Sequence, residues 1–187
     1  MKKVLISLFT VMILLNSNIY AQEAKKMETG KKILIVYYSR SGNTQRVSND
    51  VAKELGADTE KLTDKTSRSG FWGFITGGRD AMKERETVIE PVQKDPSKYD
   101  IVILGTPIWA GKMAPAIRTY INQNKTKISK TAYIITSGGT DAGKVATKMD
   151  ELTGKQALGY LGVLEKELKK EVVYKEKLNK FVEVLKK

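Results

Sequence analysis

The sequence contains no cysteine and no histidine among its 187 residues. Without cysteine the chain can form no disulfide, has no thiol nucleophile, offers no thiolate to zinc and cannot carry the lipid of a lipoprotein. Without histidine it lacks the usual base of a serine hydrolase and the commonest side-chain ligand of transition metals. We therefore expect a bound cofactor to supply whatever chemistry this protein carries out.

The N-terminus lacks an apolar run long enough to span a bilayer. The run at residues 4–15 is a dozen residues long, whereas a transmembrane helix needs about 20. Lys2 and Lys3 precede this run, and polar residues followed by Ala21 come after it. This arrangement predicts a secretory signal peptide over residues 1–21 rather than a membrane anchor. We expect export to the periplasm or beyond the cell, and no stable membrane span after cleavage.

Acidic residues are outnumbered, with 21 Asp and Glu against 33 Lys and Arg, a formal net charge of +12. Such a charge can attract nucleic acid, an anionic membrane or an acidic protein. The lysines of residues 125–187 alternate with acids and lack interleaved stacking aromatics, which favours a solvated face and no nucleic-acid site. The length suits one domain, expected over residues 32–187 after a flexible polar leader at 22–31.

Short apolar runs alternate with amphipathic segments through this domain. Runs typical of strands lie at residues 33–38, 58–62, 101–105, 132–136 and 158–164. A first helix is predicted from a cap at Thr44 to Gly56, further helices at residues 114–121 and 145–152, and a last amphipathic helix closes the chain. Alternating strands and helices predict an α/β fold, with one doubly wound, five-stranded parallel sheet.

Three loops follow the carboxyl ends of the central strands, where ligands of such sheets bind. Residues 39–44, with the sequence Ser-Arg-Ser-Gly-Asn-Thr, offer hydroxyls, a glycine and backbone N–H groups that lead directly into a helix. These features are typical of a phosphate-binding loop, although an ordinary Ser/Asn turn with a helix cap has the same composition. The patterns G-x-G-x-x-G and G-x-x-x-x-G-K are missing, which disfavours adenine dinucleotides and ATP.

This first loop resembles the phosphate motif T/S-x-T/S-G-x-T of the flavodoxin family, which also follows a first strand. A second segment, residues 105–111 (Gly-Thr-Pro-Ile-Trp-Ala-Gly), is similar to the family loop that presents an aromatic ring to the flavin. A third, residues 136–139 (Thr-Ser-Gly-Gly), is similar to the loop at the other flavin edge. The resemblance to short-chain flavodoxins covers residues 32–187, and it implies strand order 2-1-3-4-5 and bound FMN.

The resemblance also implies which residues bind the cofactor, while it assigns no catalytic residue and no metal ligand. The phosphate would be held by Ser39, Ser41, Gly42, Asn43 and Thr44. The flavin ring would be contacted by Thr106, Pro107, Ile108, Trp109, Ala110 and Gly111, with Trp109 stacked on it, and by Ser137, Gly138 and Gly139 at its other edge.

Electron transfer is the function that the resemblance implies, with a redox partner protein or a small quinone-like acceptor as the partner. The protein would be either a carrier or an FMN-dependent NAD(P)H:acceptor oxidoreductase. The third loop lacks the tyrosine that often covers the flavin, which would leave a face open to a substrate. Basic charge and an export signal are unlike the acidic cytoplasmic carriers, so a non-catalytic flavodoxin-fold binding module is the alternative.

An aromatic segment at residues 70–75, Gly-Phe-Trp-Gly-Phe-Ile, has no counterpart among these three loops. We expect its rings to pack into the core, as most large apolar side chains do. A cover over the flavin and a contact with a membrane are the alternatives.

Overall fold

The computed structural model describes residues 30–66, 68 and 70–187, and the backbone alone of Phe74. The expected signal peptide at 1–21 and the expected leader up to residue 29 lie outside the described residues. Within the described ranges, every helix is too short or too polar to cross a bilayer.

A parallel sheet of five strands forms the centre of the fold. Its strands are β1 (Ile33–Tyr37), β2 (Asp58–Lys61), β3 (Ile101–Trp109), β5 (Lys130–Ser137) and β6 (Tyr160–Leu164). They lie side by side in the order β2-β1-β3-β5-β6, and a two-residue strand, β4 (Lys112–Met113), pairs antiparallel with the end of β3. Apart from β4, this order is the predicted 2-1-3-4-5, which confirms the expected doubly wound fold.

Helices cover both faces of this sheet. They are α1 (Asn43–Leu55), α2 (Gly70–Met82), α3 (Pro115–Asn124), α4 (Ala142–Thr153) and α5 (Glu171–Lys186). α1 and α5 share one apolar core with the sheet, whereas α3 and α4 share the core on the opposite face. The predicted stripe of α5 is confirmed, because all its apolar members are buried: Tyr174, Leu178, Phe181, Val182 and Leu185.

Helix α1 follows β1 and crosses back over the sheet. It buries Val47, Val51 and Leu55, which recur every four residues on one side of the helix, and it ends at Gly56 with φ +61°, as predicted. The predicted cap at Thr44 is wrong. Gly42 occupies the N-cap position with no side-chain hydrogen bond to the first turn.

Gly105 in β3 allows α1 to lie close to the sheet. A Cβ atom at this position would lie 2.6 Å from Tyr37 Cβ and 3.1 Å from Ser48 Oγ. Because the β3 backbone has no side chain here, the first turns of α1 settle over the boundary between β1 and β3, where the winding of the sheet reverses.

A cluster of ion pairs attaches α2 to the segment before it. Arg68 is only 5% exposed, and its guanidinium donates to Asp64 Oδ2 at 3.0 Å and to Asp80 Oδ2 at 2.8 Å. The hydrogen bond from Arg68 lowers the pKa of the Asp80 carboxyl below its usual value. Polar contacts thus hold this helix at a place where no helix was predicted.

Candidate functional site

The loop of residues 39–44 connects β1 to α1 as a tight turn. Gly42 has φ +93°, a backbone conformation that glycine adopts without strain. Its N–H donates to Ser39 Oγ at 3.2 Å, while its carbonyl accepts from Arg46 N–H at 2.9 Å. The first N–H groups of a helix have no intrahelical acceptor, and no side chain caps α1. This end of α1 is therefore suited to an anion.

Thr44 connects this loop to the third loop. Its side chain is buried, and its Oγ1 lies 2.8 Å from Thr136 Oγ1 at the end of β5. Of the predicted phosphate ligands, Ser41 and Gly42 are exposed, and Ser39 and Asn43 are half-buried. Thr44 therefore fixes the distance between two of the three loops, and four other residues remain accessible to a ligand.

The second segment is strand for most of its length. The sequence predicted that the strand ends at Gly105, but β3 continues to Trp109. Thr106 is buried, and its Oγ1 donates to Pro107 O at 2.9 Å and accepts from Ala114 N–H at 3.0 Å. Pro107 lies beside Thr136 of β5 in the sheet register. Thr106, Pro107, Ile108 and Trp109 are therefore held by strand pairing rather than by a loop.

The turn itself consists of Ala110 and Gly111, which join Trp109 to Lys112 as a two-residue β-hairpin. Their φ angles are +46° and +78°, the combination required by the tight hairpin turn whose two central residues are both left-handed. An alanine in this conformation is strained by about 1–2 kcal/mol. The peptide groups of this turn are consequently presented at the carboxyl edge of the sheet in one fixed arrangement.

The Trp109 side chain is half-buried between two neighbours. Its ring meets the Tyr38 ring edge to face, with centroids 5.5 Å apart and planes at 85°. On another side it contacts Gly77 of α2, where an added Cβ would lie 2.7 Å from Trp109 Cζ3. Burial, followed by the charge of Asp64, raises the pKa of Tyr38 to about 12, so this hydroxyl stays neutral. Trp109 is therefore held in place without being fully enclosed.

Lys112 follows the hairpin turn, and its side chain forms an ion pair with Glu84, after the end of α2. Its Nζ lies 2.6 Å from Glu84 Oε1, and Arg118 Nη2 lies 3.1 Å from the other oxygen of that carboxylate. The hydrogen bond from Lys112 lowers the pKa of Glu84. This pairing partly neutralises the lysine beside the hairpin and connects β4 to the end of α2.

The third segment turns sharply after β5. Ser137 Oγ donates to Thr140 O at 2.7 Å, and the Asp141 carboxylate caps α4 by accepting from Gly143 N–H. Gly138 and Gly139 are exposed, with open space around the position of a Cβ on each. The predicted residues Ser137, Gly138 and Gly139 thus form an open rim next to the ends of β3 and β5.

Two cavities border this edge of the sheet. One of about 540 Å³ lies beside the first loop and is lined by Ser39, Arg40 and Ser41, by residues 61–64 and by Gly70 at the start of α2. The other, of about 660 Å³, runs along the edge strand β6 and includes Ser137 and Gly139. The first and third loops therefore both border cavities that a small molecule can enter, whereas the Trp109 side chain is packed between Tyr38 and helix α2.

A sequence model of the flavodoxin domain matches residues 79–181, which is more than half of the chain. The chain therefore belongs to the flavodoxin domain family. The matched range includes the hairpin after β3 and the loop after β5, and it begins after the loop at residues 39–44.

Solved structures share the fold over most of this chain. A flavoprotein from Lactobacillus acidophilus NCFM, solved in complex with FMN, has 23% identity and a TM-score of 0.63, with 75% of this chain and 97% of that chain covered. A putative flavoprotein from Bacteroides eggerthii DSM 20697 has 21% identity and a TM-score of 0.63, with 76% and 96% covered. One from Bacteroides uniformis ATCC 8492 has 17% identity and a TM-score of 0.60, with 78% and 96% covered.

The structure adds three residues to the surroundings of the predicted site. Thr136 joins the first and third loops, Tyr38 packs against the Trp109 ring, and Gly77 gives that ring room beneath α2. Tyr38 and Thr136 end predicted strands, so their position at the edge could be inferred from the sequence. Nothing in the sequence marks Gly77, because its role depends on where a distant helix packs.

Proposed function

We propose that this protein binds FMN at the carboxyl edge of its sheet and transfers electrons outside the cytoplasm. The single observation that supports this most strongly is the uncapped start of α1 after β1, at the same edge of the sheet as the half-buried Trp109 and the exposed Gly138 and Gly139. The proposal also draws on membership of the flavodoxin domain family, and on the FMN complex of the Lactobacillus flavoprotein with the same fold.

The first loop fits a terminal phosphate. The free N–H groups at the start of α1 and the accessible side chains of Ser39, Ser41 and Asn43 would donate hydrogen bonds to it. Gly42 at φ +93° has open space where a Cβ would project, so the backbone can approach an anion closely. Thr44 would act mainly by holding this loop against the third one, because its hydroxyl already contacts Thr136.

Trp109 and the hairpin fit a planar ring system. Tyr38 and Gly77 fix the orientation of the indole, and a fixed aromatic surface stacks on a flavin with little loss of conformational entropy. The Ala110–Gly111 turn would offer backbone groups to the ring edge. Gly138 and Gly139 have no side chains that could cover a bound ring, so they would leave its opposite side open to an acceptor.

FMN supplies reversible one- and two-electron chemistry when it is bound, and the protein supplies binding and orientation. A carrier would exchange electrons with a redox protein, whereas a small reductase would pass them from NAD(P)H to a quinone-like acceptor. The open third loop favours an acceptor that enters the site over one that only touches its margin.

Flavin binding can be tested with the two tryptophans of the chain. The purified protein is expected to show flavin absorption bands near one equivalent after reconstitution with FMN. A Trp109→Ala variant should bind FMN about tenfold to a hundredfold more weakly through loss of stacking. The matched Trp72→Ala variant should bind it like the parent chain. If the parent chain does not bind added FMN, the remaining function is that of a binding module for another ligand.

The reaction can then be separated from binding. NAD(P)H oxidation by the FMN-loaded protein, measured with and without a soluble quinone, distinguishes a reductase from a carrier. Turnover with quinone would support the reductase, and reoxidation only by a partner protein would support the carrier. Cell fractionation with detection of the mature N-terminus tests export and the cleavage expected near Ala21.

A further inference from the structure

Helix α2 exposes four large apolar side chains, while the side chain of Phe74 lies outside the described part of the structure. Phe71 is 70% exposed, Trp72 75%, Met82 58% and Ile75 42%. We call these four residues the α2 outer face. On the inner side the helix buries Gly73, Gly77 and Ala81. The expectation that the aromatics of residues 70–75 pack into the core is therefore wrong for Phe71 and Trp72.

Close packing explains the small residues Gly73 and Gly77 of α2, but it does not explain the four exposed apolar residues. Gly73 lies against the Arg68 backbone, with 2.3 Å from its would-be Cβ to Arg68 C, and Gly77 lies against the Trp109 ring. Larger residues on this inner side would push the helix away from the sheet. Nothing about that close approach requires aromatic rings on the outer side, where polar residues would keep the helix soluble. Apolar clusters that remain exposed mark surfaces of interaction.

Positive charge lies at one end of the α2 outer face. Arg79 and Lys83 are exposed, and within the described part of the chain neither takes part in an ion pair. Two nearby acids are paired with other cations, and Glu86, three residues after Lys83, accepts a hydrogen bond from Asn122. Asp80 is bound by Arg68 and Arg85, and Glu84 is bound by Lys112 and Arg118. The helix thus combines an aromatic end with a cationic end on a chain of net charge +12.

We propose that the α2 outer face docks this protein onto an anionic lipid surface. Phe71 and Trp72 would enter the region between headgroups and acyl chains, and Arg79 and Lys83 would contact the anionic headgroups. An amphipathic helix with aromatic residues on one face and cations beside them binds membranes in this manner, lying in the plane of the surface. The contact does not depend on FMN.

A lipid surface fits this face better than a protein does. The rings of Phe71 and Trp72 stand edge to face, with centroids 5.7 Å apart, and most of each ring projects into solvent. A protein partner would need a pocket shaped to both rings, because protein interfaces pack as closely as protein interiors. Fluid lipid needs no matching shape. Trp is moreover the side chain that prefers the membrane interface, where its ring is apolar and its N–H is hydrated.

Docking would also bring the proposed cofactor site to the membrane. The inner side of α2 contacts Trp109, and Gly70 at its first turn lines the cavity beside Ser39 and Ser41. One helix thickness, about 10 Å, would therefore separate the lipid from the stacking ring. An apolar acceptor dissolved in the bilayer would have a short path to the site.

The test uses the full chain with Trp72 as its sole tryptophan, obtained by Trp109→Phe. Vesicles of mixed anionic and zwitterionic lipid should shift the Trp72 emission to shorter wavelength, and brominated acyl chains should quench it. Purely zwitterionic vesicles should do so far less. Removing two cations, with Arg79→Gln and Lys83→Gln together, should weaken the response about tenfold to 30-fold. Phe71→Ser should also weaken it, and Val172→Ser, at an exposed position on α5, should not.

The local reporter matters because the apolar run at residues 4–15 could itself partition into vesicles. If the chain sediments with anionic vesicles while Trp72 stays unshifted and unquenched, the proposal is wrong. Equal quenching of Trp72 by anionic and zwitterionic vesicles would also overturn the proposal. So would an emission shift that appears without lipid when the protein concentration is raised, because it would indicate self-association. In the Trp72→Phe chain, Trp109 should keep its emission; a matching shift would mean unfolding on the vesicle and would contradict docking.

Discussion

Helices α1 and α2 both pack beside the carboxyl edge of the sheet, yet they are built on opposite principles. α1 buries Val47, Val51 and Leu55 and exposes polar residues. Among the residues whose side chains are described, α2 buries glycine and alanine positions and exposes Phe71 and Trp72. Apolar burial therefore stabilises α1, whereas close approach and an ion-pair cluster around Arg68 hold α2 in place.

The difference corresponds to different tasks. In the proposed function, α1 presents its first turn to the FMN phosphate from a rigid position in the main core. In the proposed docking, α2 lies close to Trp109 through its small inner residues and keeps its outer side available. Because ion pairs of Arg68 attach α2 to the preceding segment, α2 should detach before α1 when these polar contacts are weakened.

The largest effect on stability is expected when a buried side chain of α1 is shortened. Leu55→Ala should lower the free energy of unfolding by about 2–5 kcal/mol, since a buried side chain is replaced by a cavity. Met82→Ala on the α2 outer face should change it by no more than about 0.5 kcal/mol. Urea denaturation followed by far-UV circular dichroism compares the two. Equal losses would show that α2 is part of the core in the same sense as α1.

Loss of Asp80 should release α2 selectively. Asp80→Asn leaves the buried Arg68 guanidinium with Asp64 as its remaining carboxylate partner, at an expected cost of about 1–3 kcal/mol. In the parent chain, the Asp80 pKa is lowered from 3.8. The contribution of the ionised Asp80 to the free energy of unfolding is therefore complete above about pH 3.8, and it is lost as the pH falls through the lowered pKa. Hydrogen exchange should show α2 opening before α1 below that pH; simultaneous opening would contradict the comparison.

Gly77 and Gly78 provide a matched pair within α2. Gly77→Ala places a Cβ 2.7 Å from Trp109 Cζ3, so the ring or the helix must shift, at about 1–2 kcal/mol. FMN binding should weaken with it. Gly78→Ala adds a Cβ in open space and should stabilise the protein by about 0.5–1 kcal/mol, because alanine favours helix. Thermal unfolding and FMN titration of both variants test this. If the two variants have the same stability and the same FMN affinity, Gly77 does not hold Trp109 in place.

The smallest effect is expected at the hairpin. Ala110→Gly relieves the strain at φ +46° and should raise the free energy of unfolding by about 0.5–1 kcal/mol, after the higher entropy of glycine in the unfolded chain is subtracted. Thermal unfolding measures it, with Ala142→Gly at the start of α4 as a control that should destabilise. A loss of stability at Ala110 would show that the turn is not strained.

Much of the sheet could be predicted because its three central strands, β1, β3 and β5, contain continuous buried apolar runs. The parallel sheet and the meeting of three loops at one edge followed from the alternation of strands and helices, whereas the strand order was implied by the resemblance to flavodoxins. The predicted cap at Thr44 was wrong because a threonine hydroxyl can bond to any nearby partner, and Thr136, 92 positions away, competes with the helix N–H groups. Strand β3 continues beyond its predicted end at Gly105 because its pairing with β5 extends to Pro107.

Helix α2 could not be predicted because its local signals argue against a helix. It contains four glycines in 13 residues, and each disfavours the helix relative to alanine. The ion pairs of Arg68 with Asp64 and Asp80 help to hold it, and their formation depends on the path of the chain. The hairpin at Ala110 and Gly111 was missed for a similar reason, since alanine rarely adopts a positive φ without an imposed strand register.

The sequence by itself determined the class of fold and the edge of the sheet at which the three candidate loops meet, because hydrophobic periodicity and turn composition are local properties of the chain. The tertiary structure alone decided which way each side chain of that site faces. Thr44 turns to Thr136, Lys112 turns to Glu84, and Trp109 leans on Gly77. Each of these choices is a contact between residues far apart along the chain, and it exists only once the helices have packed on the sheet.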